Sequence, residues 1–454
     1  MKVIMNVPDY IKAIQERLLK SEYECYLVGG CVRDTLLGLE VKDYDLTTNC
    51  DSENLKKIFA DYNIINNNGE KHNTITLHIE GDNVEITAYK HDEDEENTIE
   101  NDLLHRDLTI NALAYSTELV DVTGGYEDLF NKIIKAPGNP NDRIKEDPLR
   151  ILRALRFSSK LGFEIEKETS IAIHENKELL NNVSSDRIKS ELDGILAGDN
   201  VKKVLSEYKD VIFTIIPELK FTDGFDQKNP YHNNSLYNHI VNVCGNVYSK
   251  ANATVNTIVL TRTAALLHDI AKPLCFTLDD NGVGHFYGHA EESSLIAVNI
   301  LKRLRYSNDE IEKLEYLIRN HDATINLTKK SVRKNFAHTP NQDEELFYML
   351  LELMNADKLD HIQYELIDIN TAKSLINEIK ADNLCLKLSD LKVNGYDIMK
   401  LGYSGKNVGL ILNYLLEAVI EEKIDNEADK LLYAAKQYKE ISFNDWWKGS
   451  RTTI

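Results

Sequence analysis

The chain has 454 residues, which at about 150 residues per domain suggests roughly three domains. Hydrophobic residues make up 42% and charged residues 28%, which excludes a disordered or collagen-like chain. Acidic residues outnumber basic ones by 74 to 53, so the net charge of −21 excludes a broad cationic surface for nonspecific nucleic-acid binding. An RNA partner would need local basic patches.

No apolar run is long enough to span a membrane, and the first residues lack the pattern of a signal peptide. The six cysteines are scattered without a CxxC pair, which is typical of reduced thiols. We therefore expect a cytoplasmic protein with no membrane partner.

The first 140 residues mix helices and strands. Residues 8–20 have apolar side chains at helical spacing, and Tyr26-Leu27-Val28 reads as a short buried strand. A helix is predicted from Val32 to Leu37, closed by Gly38. Residues 74–80 and 84–89 alternate polar and apolar side chains around a Gly-Asp-Asn turn, which predicts a β-hairpin.

The acidic stretch from His91 to Asp102 reads as a solvated surface connection. Beyond about residue 140 the pattern becomes helical and stays so. Boundaries are indicated by Pro137-Gly138-Asn139-Pro140 and by the polar stretch Thr222 to Asn234. We predict an α+β fold, with a mixed-sheet head followed by an elongated all-α neck, body and tail.

A glycine pair in the head predicts a phosphate-binding turn. Gly29 and Gly30 lie between the predicted strand and the following helix, where the backbone can approach a ligand closely. The N–H groups at that helix start can hold phosphate oxygens, and Arg33 can add a charge-assisted contact to a triphosphate.

Acidic side chains follow the turn. Asp43 and Asp45 are two residues apart on a predicted strand, so both point to the same face. Glu85 in the hairpin can supply a third carboxylate. Oxygen ligands shared with phosphates suit Mg²⁺, and three carboxylates beside a phosphate cradle predict two-metal phosphoryl transfer.

These residues resemble the first motif, GGxVRD followed by DxD, of class II tRNA nucleotidyltransferases (CCA-adding enzymes) and bacterial poly(A) polymerases. Four further motifs of the family follow in its order. They are His105 to Leu113, Asp121 to Asp128 with a Gly124-Gly125 pivot, Glu146 to Arg153 (EDxxRxxR), and Ser185 to Leu192.

The fourth motif predicts a nucleotide-selection helix. Its charged residues recur every three positions, so on one helix they would wind slowly along one broad face. The resemblance implies that Asp147 and Arg150 read the base of CTP or ATP without a template, and that Glu146, Arg187 and Glu191 brace the helix. The nucleotide is expected to be held by Gly29, Gly30, Arg33, Arg106, Asp107, Arg153 and Arg156.

The chain departs from the family pattern at three places. His105 replaces an arginine in the second motif, and Lys90 stands where the family usually has arginine. The connection between Glu85 and Arg106 is shorter than in typical CCA-adding members, where a flexible loop helps the site switch to ATP. A short connection resembles the CC-adding subgroup, which needs a separate A-adding partner enzyme.

The body resembles the HD phosphohydrolase superfamily, whose ligand pattern is H…HD…D. His239, His268, Asp269 and Asp357 fit that order, and His289 and His321 are additional positions for a second metal. Imidazole and carboxylate together suit a divalent transition metal, and a metal-bound hydroxide could hydrolyse phosphomonoesters or cyclic phosphodiesters. Whether the body hydrolyses tRNA ends or only holds tRNA stays open.

The tail from Val393 to Glu427 resembles that of HD-containing bacterial tRNA nucleotidyltransferases, which favours tRNA over poly(A). The predicted function is CCA addition to tRNA from CTP and ATP with Mg²⁺. The alternatives are a CC-adding enzyme, an HD phosphohydrolase, and a nucleotide-binding regulator without transfer activity. The predicted domains are a head (1–138), a neck (139–220), an HD domain (221–370) and a tRNA-binding tail (371–454).

Overall fold

The protein is described by a computed structural model. It covers residues 5–41, 43–65, 73–79, 81–91, 96–229, 234–247, 254–362 and 365–438. The chain divides into two compact units, Met1–Lys220 with Arg303–Arg305, and Phe221–Lys302 with Tyr306–Ile454. The finer division into four domains stays a prediction.

The first unit contains a mixed sheet with the strand order β3-β4-β5-β2-β1-β6-β7 in its described part. Strands β2 and β5 are parallel, whereas the other neighbours are antiparallel. The predicted hairpin is confirmed as β4 and β5. The strands are β1 (Tyr26–Val28), β2 (Tyr44–Thr48), β3 (Asn63–Ile65), β4 (Thr74–Ile79), β5 (Asp82–Ala88), β6 (Ala114–Tyr115) and β7 (Leu119–Val120).

Helices pack around this sheet and continue beyond it. The predicted first helix forms, and its periodic residues Ile11, Ile14 and Leu18 are fully buried. The helices are α1 (Asp9–Lys20), α2 (Gly30–Leu36), α3 (Ser52–Ile58), α4 (Ile99–Leu104), α5 (Gly125–Asn131), α6 (Pro140–Glu146), α7 (Arg150–Leu161), α8 (Lys167–Asn176), α9 (Ser185–Ala197), α10 (Val201–Glu207) and α11 (Lys209–Ile215), and two short strands, β8 (Ile133–Ile134) and β9 (Glu164–Ile165), pair in parallel.

Two local predictions for this unit were wrong. The stretch from His91 to Asp102 is not a solvated connection throughout, because Ile99 starts α4 and the side chain of Asp102 is buried. Residues 92–95 of that stretch lie outside the described residues. The fourth motif is not one helix either. Pro148 forces Asp147 into an extended conformation, so α6 ends at Glu146 and α7 begins at Arg150.

In its described part, the second unit is helical apart from the short hairpin of β10 (Thr277–Leu278) and β11 (Gly284–His285). Among the described residues, no helix combines the length and apolar character needed to cross a membrane. The predicted α+β class is confirmed. The helices are α12 (Leu236–Asn246), α13 (Val255–Leu267), α14 (His289–Arg303), α15 (Asn308–Asn320), α16 (Lys329–Ala337), α17 (Glu344–Lys358), α18 (Ile369–Ala381), α19 (Gly395–Lys400), α20 (Lys406–Ile420) and α21 (Ala428–Gln437).

Candidate active site and candidate metal centre

The glycine turn brings the backbone next to the acidic strand. Gly29 has φ +73°, a left-handed conformation that favours glycine, and it is the N-cap of α2. A Cβ atom at Gly29 would lie 3.4 Å from Arg106 Nη1 and 4.0 Å from Asp45 Oδ2. The turn therefore leaves its backbone open between a guanidinium and a carboxylate.

The carboxylates meet because β2 and β5 are parallel neighbours. Asp45 is in direct register with Glu85, and Asp43 precedes the first residue of β2 rather than lying within the strand. Burial raises the pKa of Asp45, and the negative charges of Glu85 and Asp43 raise it further, while Arg106 lowers it. A divalent cation bound between such closely spaced carboxylates reduces the repulsion between their negative charges. These residues therefore fit Mg²⁺, which prefers oxygen ligands.

Arg33 is held by the protein itself in this structure. It is 4% exposed, its Nη1 donates to Asn111 Oδ1 at 2.6 Å, and its Nε donates to Asp34 at 2.8 Å. Asn111 in turn donates to Asp107 at 3.1 Å. Arg33, which is predicted to contact a phosphate, is thus part of a hydrogen-bond network that leads from the glycine turn to Asp107.

Arg106 is held by a residue that sequence reasoning missed. Asp102 lies one turn earlier, and its Oδ2 accepts from Arg106 Nε at 3.2 Å and Nη2 at 2.9 Å. The backbone N–H of Lys90 donates to the other oxygen of Asp102 at 2.9 Å. The i, i+4 spacing of Asp102 and Arg106 was the available signal, but the acidic surroundings concealed it.

Helix α7 presents its arginines to buried acids. Arg153 Nε donates to Asp107 Oδ2 at 2.8 Å, and Arg156 Nε lies 2.7 Å from Glu191 Oε2 on α9. Burial by itself would raise the pKa of Asp107, but the positive charge of Arg153 and the hydrogen bonds that Asn111, Arg153 and the Leu108 N–H donate outweigh it together, so the pKa is lowered. Asp107 is therefore an ionised anchor for this helix.

The residues expected to read the base also have protein partners. Asp147 Oδ2 accepts from Arg187 Nη2 at 2.8 Å. Arg150 donates to Glu146 Oε2 at 3.1 Å and to the carbonyl of His105 at 2.8 Å. These contacts orient both side chains before any base arrives.

One cavity of about 420 Å³ joins the carboxylates to the arginines. Within the described part of the chain, Asp43, Gly29, Gly30, Arg33 and Arg156 are not among its lining residues. The predicted residues that do line it are Asp45, Glu85, Arg106, Asp107, Asp147, Arg150, Arg153 and Arg187, joined by Asp102 and His105.

In the second unit, predicted ligands converge from separate helices. His239 lies on α12, His268 and Asp269 directly follow α13, and Asp357 lies on α17. Asp269 Oδ2 is 3.4 Å from His239 Nε2 and 3.2 Å from His268 Nε2. Asp357 Oδ1 is 3.1 Å from His239 Nε2.

The other oxygen of Asp269 faces a second pair of histidines. Its Oδ1 is 3.3 Å from His289 Nε2 and 3.6 Å from His321 Nε2. The two Nε2 atoms are 3.3 Å apart. The ligand atoms therefore form two groups, each able to hold an ion, and Asp269 belongs to both.

Backbone carbonyls determine the tautomer of three of these rings. The Nδ1 atoms of His268, His289 and His321 lie 2.7, 2.8 and 2.7 Å from the carbonyl oxygen three residues earlier. A carbonyl only accepts, so Nδ1 carries the proton and the Nε2 lone pair points into the centre. That arrangement is the one a metal-ligating imidazole needs.

Burial supports the same interpretation. His268 Nε2 and Asp269 Oδ1 are buried and make no hydrogen bond with the described residues. Burial would raise the pKa of Asp269, but the surrounding imidazoles of His268 and His239 and the ammonium of Lys272 hold it well below its usual range. Lys272 lies 2.6 Å from Asp269 Oδ2, but the buried Oδ1 faces the Nε2 atoms of His289 and His321. A divalent metal between them would satisfy both the carboxylate and the imidazoles, so the donor set fits one.

Sequence reasoning missed three neighbours of this centre. Lys272 Nζ lies 2.6 Å from Asp269 Oδ2, and His361 Nε2 lies 3.7 Å from Asp357 Oδ1. Asp360 Oδ2 lies 2.8 Å from His239 Nδ1. Asp360 and His361 follow Asp357 by three and four residues, the spacing of one helical face.

Three family models match the chain. The Poly A polymerase head domain matches residues 25–135, and the "Probable RNA and SrmB- binding site of polymerase A" matches residues 162–220. The tRNA nucleotidyltransferase domain 2 matches residues 289–435. Each of the three models describes a part of poly(A) polymerases or tRNA nucleotidyltransferases. The chain's predicted head motifs fall within the matched segments or just after the first, whereas His239, His268 and Asp269 fall outside them.

Relatives of the chain carry the name CCA-adding enzyme. The relative from Ligilactobacillus salivarius is 38% identical over 224 residues, which cover 46% of this chain and 55% of the relative. The match therefore spans about half the length of that relative. The relative from Lactobacillus helveticus is 27% identical over 94% of this chain and 97% of its own.

Solved structures share the fold. The Bacillus stearothermophilus CCA-adding enzyme in complex with CTP is 21% identical, covers 98% of this chain and 100% of its own, and has a TM-score of 0.71. The Thermotoga maritima CCA-adding enzyme complexed with tRNA is 21% identical, with a TM-score of 0.59 over 94% and 95% of the two chains. At this identity the likeness establishes the fold.

Proposed function

We propose that the protein is a tRNA 3′-end nucleotidyltransferase, which adds C and A from CTP and ATP without a template and releases pyrophosphate. One observation carries the proposal. A single cavity is lined by Asp45 and Glu85 and also by Asp147, Arg150 and Arg153, so the cation-binding and base-reading groups share one ligand space. The CCA-adding relatives support the choice of tRNA as substrate.

Cation binding and triphosphate binding fall to different residues in this proposal. Asp43, Asp45 and Glu85 would hold Mg²⁺, which would lower the pKa of the attacking 3′-hydroxyl and neutralise the charge of the leaving group. The open backbone at Gly29 and the guanidinium of Arg106 receive the triphosphate. The attacking hydroxyl must approach the α-phosphate opposite the pyrophosphate.

Base choice falls to Asp147 and Arg150. An aspartate acceptor and an arginine donor match the hydrogen-bonding edge of cytosine, and a small rotation of both would match adenine. Arg187 and Glu146 restrain these two side chains in the orientations that the structure shows. The base therefore meets groups whose directions are already set, which reduces the entropy cost of selection.

Product length tests the proposal. The protein is incubated with tRNA lacking its 3′ CCA, together with CTP, ATP and Mg²⁺, and the product is sized at single-nucleotide resolution. Growth by two or three nucleotides is expected in the wild type and none in D45A. Extension by D45A equal to that of the wild type would overturn the assignment.

The same gel decides between CCA and CC addition. Residues 92–95, within the short connection that suggests CC addition, lie outside the described residues. Growth by three with A last would make the protein a complete CCA-adding enzyme. A stop at two cytidines would make it a CC-adding enzyme that depends on an A-adding partner. A tRNA substrate also implies a cytoplasmic location.

A second candidate activity is metal-dependent phosphate hydrolysis in the second unit. The observation that favours it is the convergence of His239, His268, His289 and His321 on the buried carboxylate of Asp269. A divalent transition metal bound there would supply a nucleophilic hydroxide. Phosphate release from a 2′,3′-cyclic or 3′-phosphorylated RNA end with added Mn²⁺ or Ni²⁺ tests it, and H268A with D269A should abolish that release while leaving nucleotide addition intact.

A further inference from the structure

We propose that Asp360 is the positioning residue that makes the metal position beside His239 the tighter of the two around Asp269. The inference rests on the proposed metal centre and adds an order of loading to it. The first position has ligand atoms from His239, His268 and Asp269, with Asp357 adjacent. The second has His289 and His321 with the shared Asp269.

Asp360 accepts the hydrogen bond from Nδ1 of His239, the ring nitrogen that faces away from the proposed metal. Its Oδ2 lies 2.8 Å from His239 Nδ1, and its Oδ1 accepts from Asn242 Nδ2 at 2.7 Å and from Asn234 Nδ2 at 3.3 Å. The two amides can only donate through these atoms, so they orient the carboxylate. At Oδ2 the 2.8 Å contact with the imidazole is the shorter one, since Asn234 Nδ2 lies 3.4 Å away.

His239 differs in this respect from the other predicted ligands. Where a backbone carbonyl holds Nδ1–H of His268, His289 and His321, a carboxylate holds that of His239. A charged acceptor pushes more electron density onto Nε2 than a neutral carbonyl does, which makes the imidazole a stronger ligand. Only the first position includes a ring of this kind among the described ligand groups.

Charge favours the same position. The first position has Asp357 Oδ1 at 3.1 Å from His239 Nε2 in addition to Asp269, whereas the second has Asp269 as its carboxylate within the described residues. The first position stays the more negative of the two even with the ammonium of Lys272 2.6 Å from Asp269 Oδ2, because Asp357 offsets that charge and Asp360 adds a further carboxylate. Both differences act in the same direction, so we infer stepwise loading, with the His239 position filled first.

The test titrates the full-length protein with Mn²⁺ in a D45N background, which removes the cation site proposed in the head; this background is the wild type of the comparisons that follow. Calorimetry gives the two affinities, and electron paramagnetic resonance distinguishes one isolated ion from a spin-coupled pair. In wild type, we expect an uncoupled signal at one equivalent and a coupled signal as the second ion binds. D360N should weaken the first step ten- to a hundredfold, because outer partners of ligating histidines contribute that much.

Two variants keep the result interpretable. D343N changes another aspartate next to the same helix, at the N-cap of α17, where asparagine caps equally well, so its Mn²⁺ affinities should match wild type. D360E retains a carboxylate and should recover part of the loss in D360N, which a purely structural role would not predict. Circular dichroism confirms that each variant is folded.

The outcomes separate the two levels of the proposal. No Mn²⁺ binding by wild type would overturn the metal centre itself. Two-step binding in wild type with unchanged affinities in D360N would overturn the role of Asp360 and leave the centre standing. A coupled signal already at the lowest Mn²⁺ additions would overturn the stepwise order.

Discussion

Asp102 holds Arg106 against the glycine turn through two hydrogen bonds from one guanidinium to one buried carboxylate oxygen. The side chain of Asp102 is 2% exposed and that of Arg106 is 21% exposed. Arg106 Nη1 stays directed toward Gly29. Arg106 is predicted to contact the triphosphate, and its orientation therefore depends on Asp102. The composition around Asp102 had indicated only a solvated surface connection.

D102N should raise the KM for CTP by about tenfold, because an amide holds the guanidinium less firmly than a carboxylate, and a charged hydrogen bond contributes about 1.5–3 kcal/mol. The turnover number should fall less than KM rises. Steady-state kinetics on tRNA lacking its CCA end measures both. E100Q, an exposed change on the same helix, is the control, and a KM in D102N equal to that of E100Q would contradict the role.

D45N and E85Q should each reduce nucleotide addition, D45N by about a thousandfold, because an amide removes the negative charge that a catalytic cation needs. E85Q should cost less, since Asp45 and Asp43 remain. Binding of tRNA, measured by filter retention, should change little. D82N, at the exposed start of β5, should behave as wild type. Normal rates in D45N would contradict the proposed site.

R187A should weaken base choice more than it weakens catalysis. Without Arg187, Asp147 loses its 2.8 Å partner and can turn away from the base. We expect the preference for CTP over UTP to fall by about tenfold, the factor that corresponds to ~1.4 kcal/mol. Competition between labelled CTP and UTP measures the ratio. K189A, on the same helix, should leave the ratio unchanged.

The ion pair between His338 and Glu417 should make the second unit less stable as the pH rises. Both ring nitrogens of His338 face acceptors, the Lys334 carbonyl at 2.7 Å and Glu417 Oε1 at 2.8 Å, so the doubly protonated ring satisfies both. The bond to Glu417 raises the pKa of His338.

A raised pKa means that the folded state binds this proton more tightly than the unfolded state does. The stabilisation is fully present below the unfolded pKa of about 6.5 and is lost as the pH rises through the folded pKa. Urea unfolding between pH 6 and pH 8 should show this loss in wild type. H338Q should reduce the pH dependence, and an equal slope in both proteins would contradict the assignment.

Short-range patterns in the sequence determined the local elements of the head. Gly29 was predicted as a tight turn, because only glycine adopts its φ of +73° without strain. The hairpin of β4 and β5 followed from alternation around Gly-Asp-Asn. The order of motifs likewise indicated the family. The turn and the hairpin depend on residues within a few positions of one another, and so does each motif by itself, although the order of the motifs extends from Gly29 to Leu192.

The tertiary structure alone decided which distant side chains share a site. Asp45 and Glu85 are neighbours because β2 and β5 pair in parallel, and no local pattern specifies that register. Asp102 is buried because α4 packs its apolar face inward and carries the acid with it. Asp360 reaches His239 across 121 positions of sequence. Periodicity in the sequence indicates which face of a helix or strand is apolar. Only the packing of the elements decides which distant residues that face contacts, and the proposed chemistry depends on those contacts.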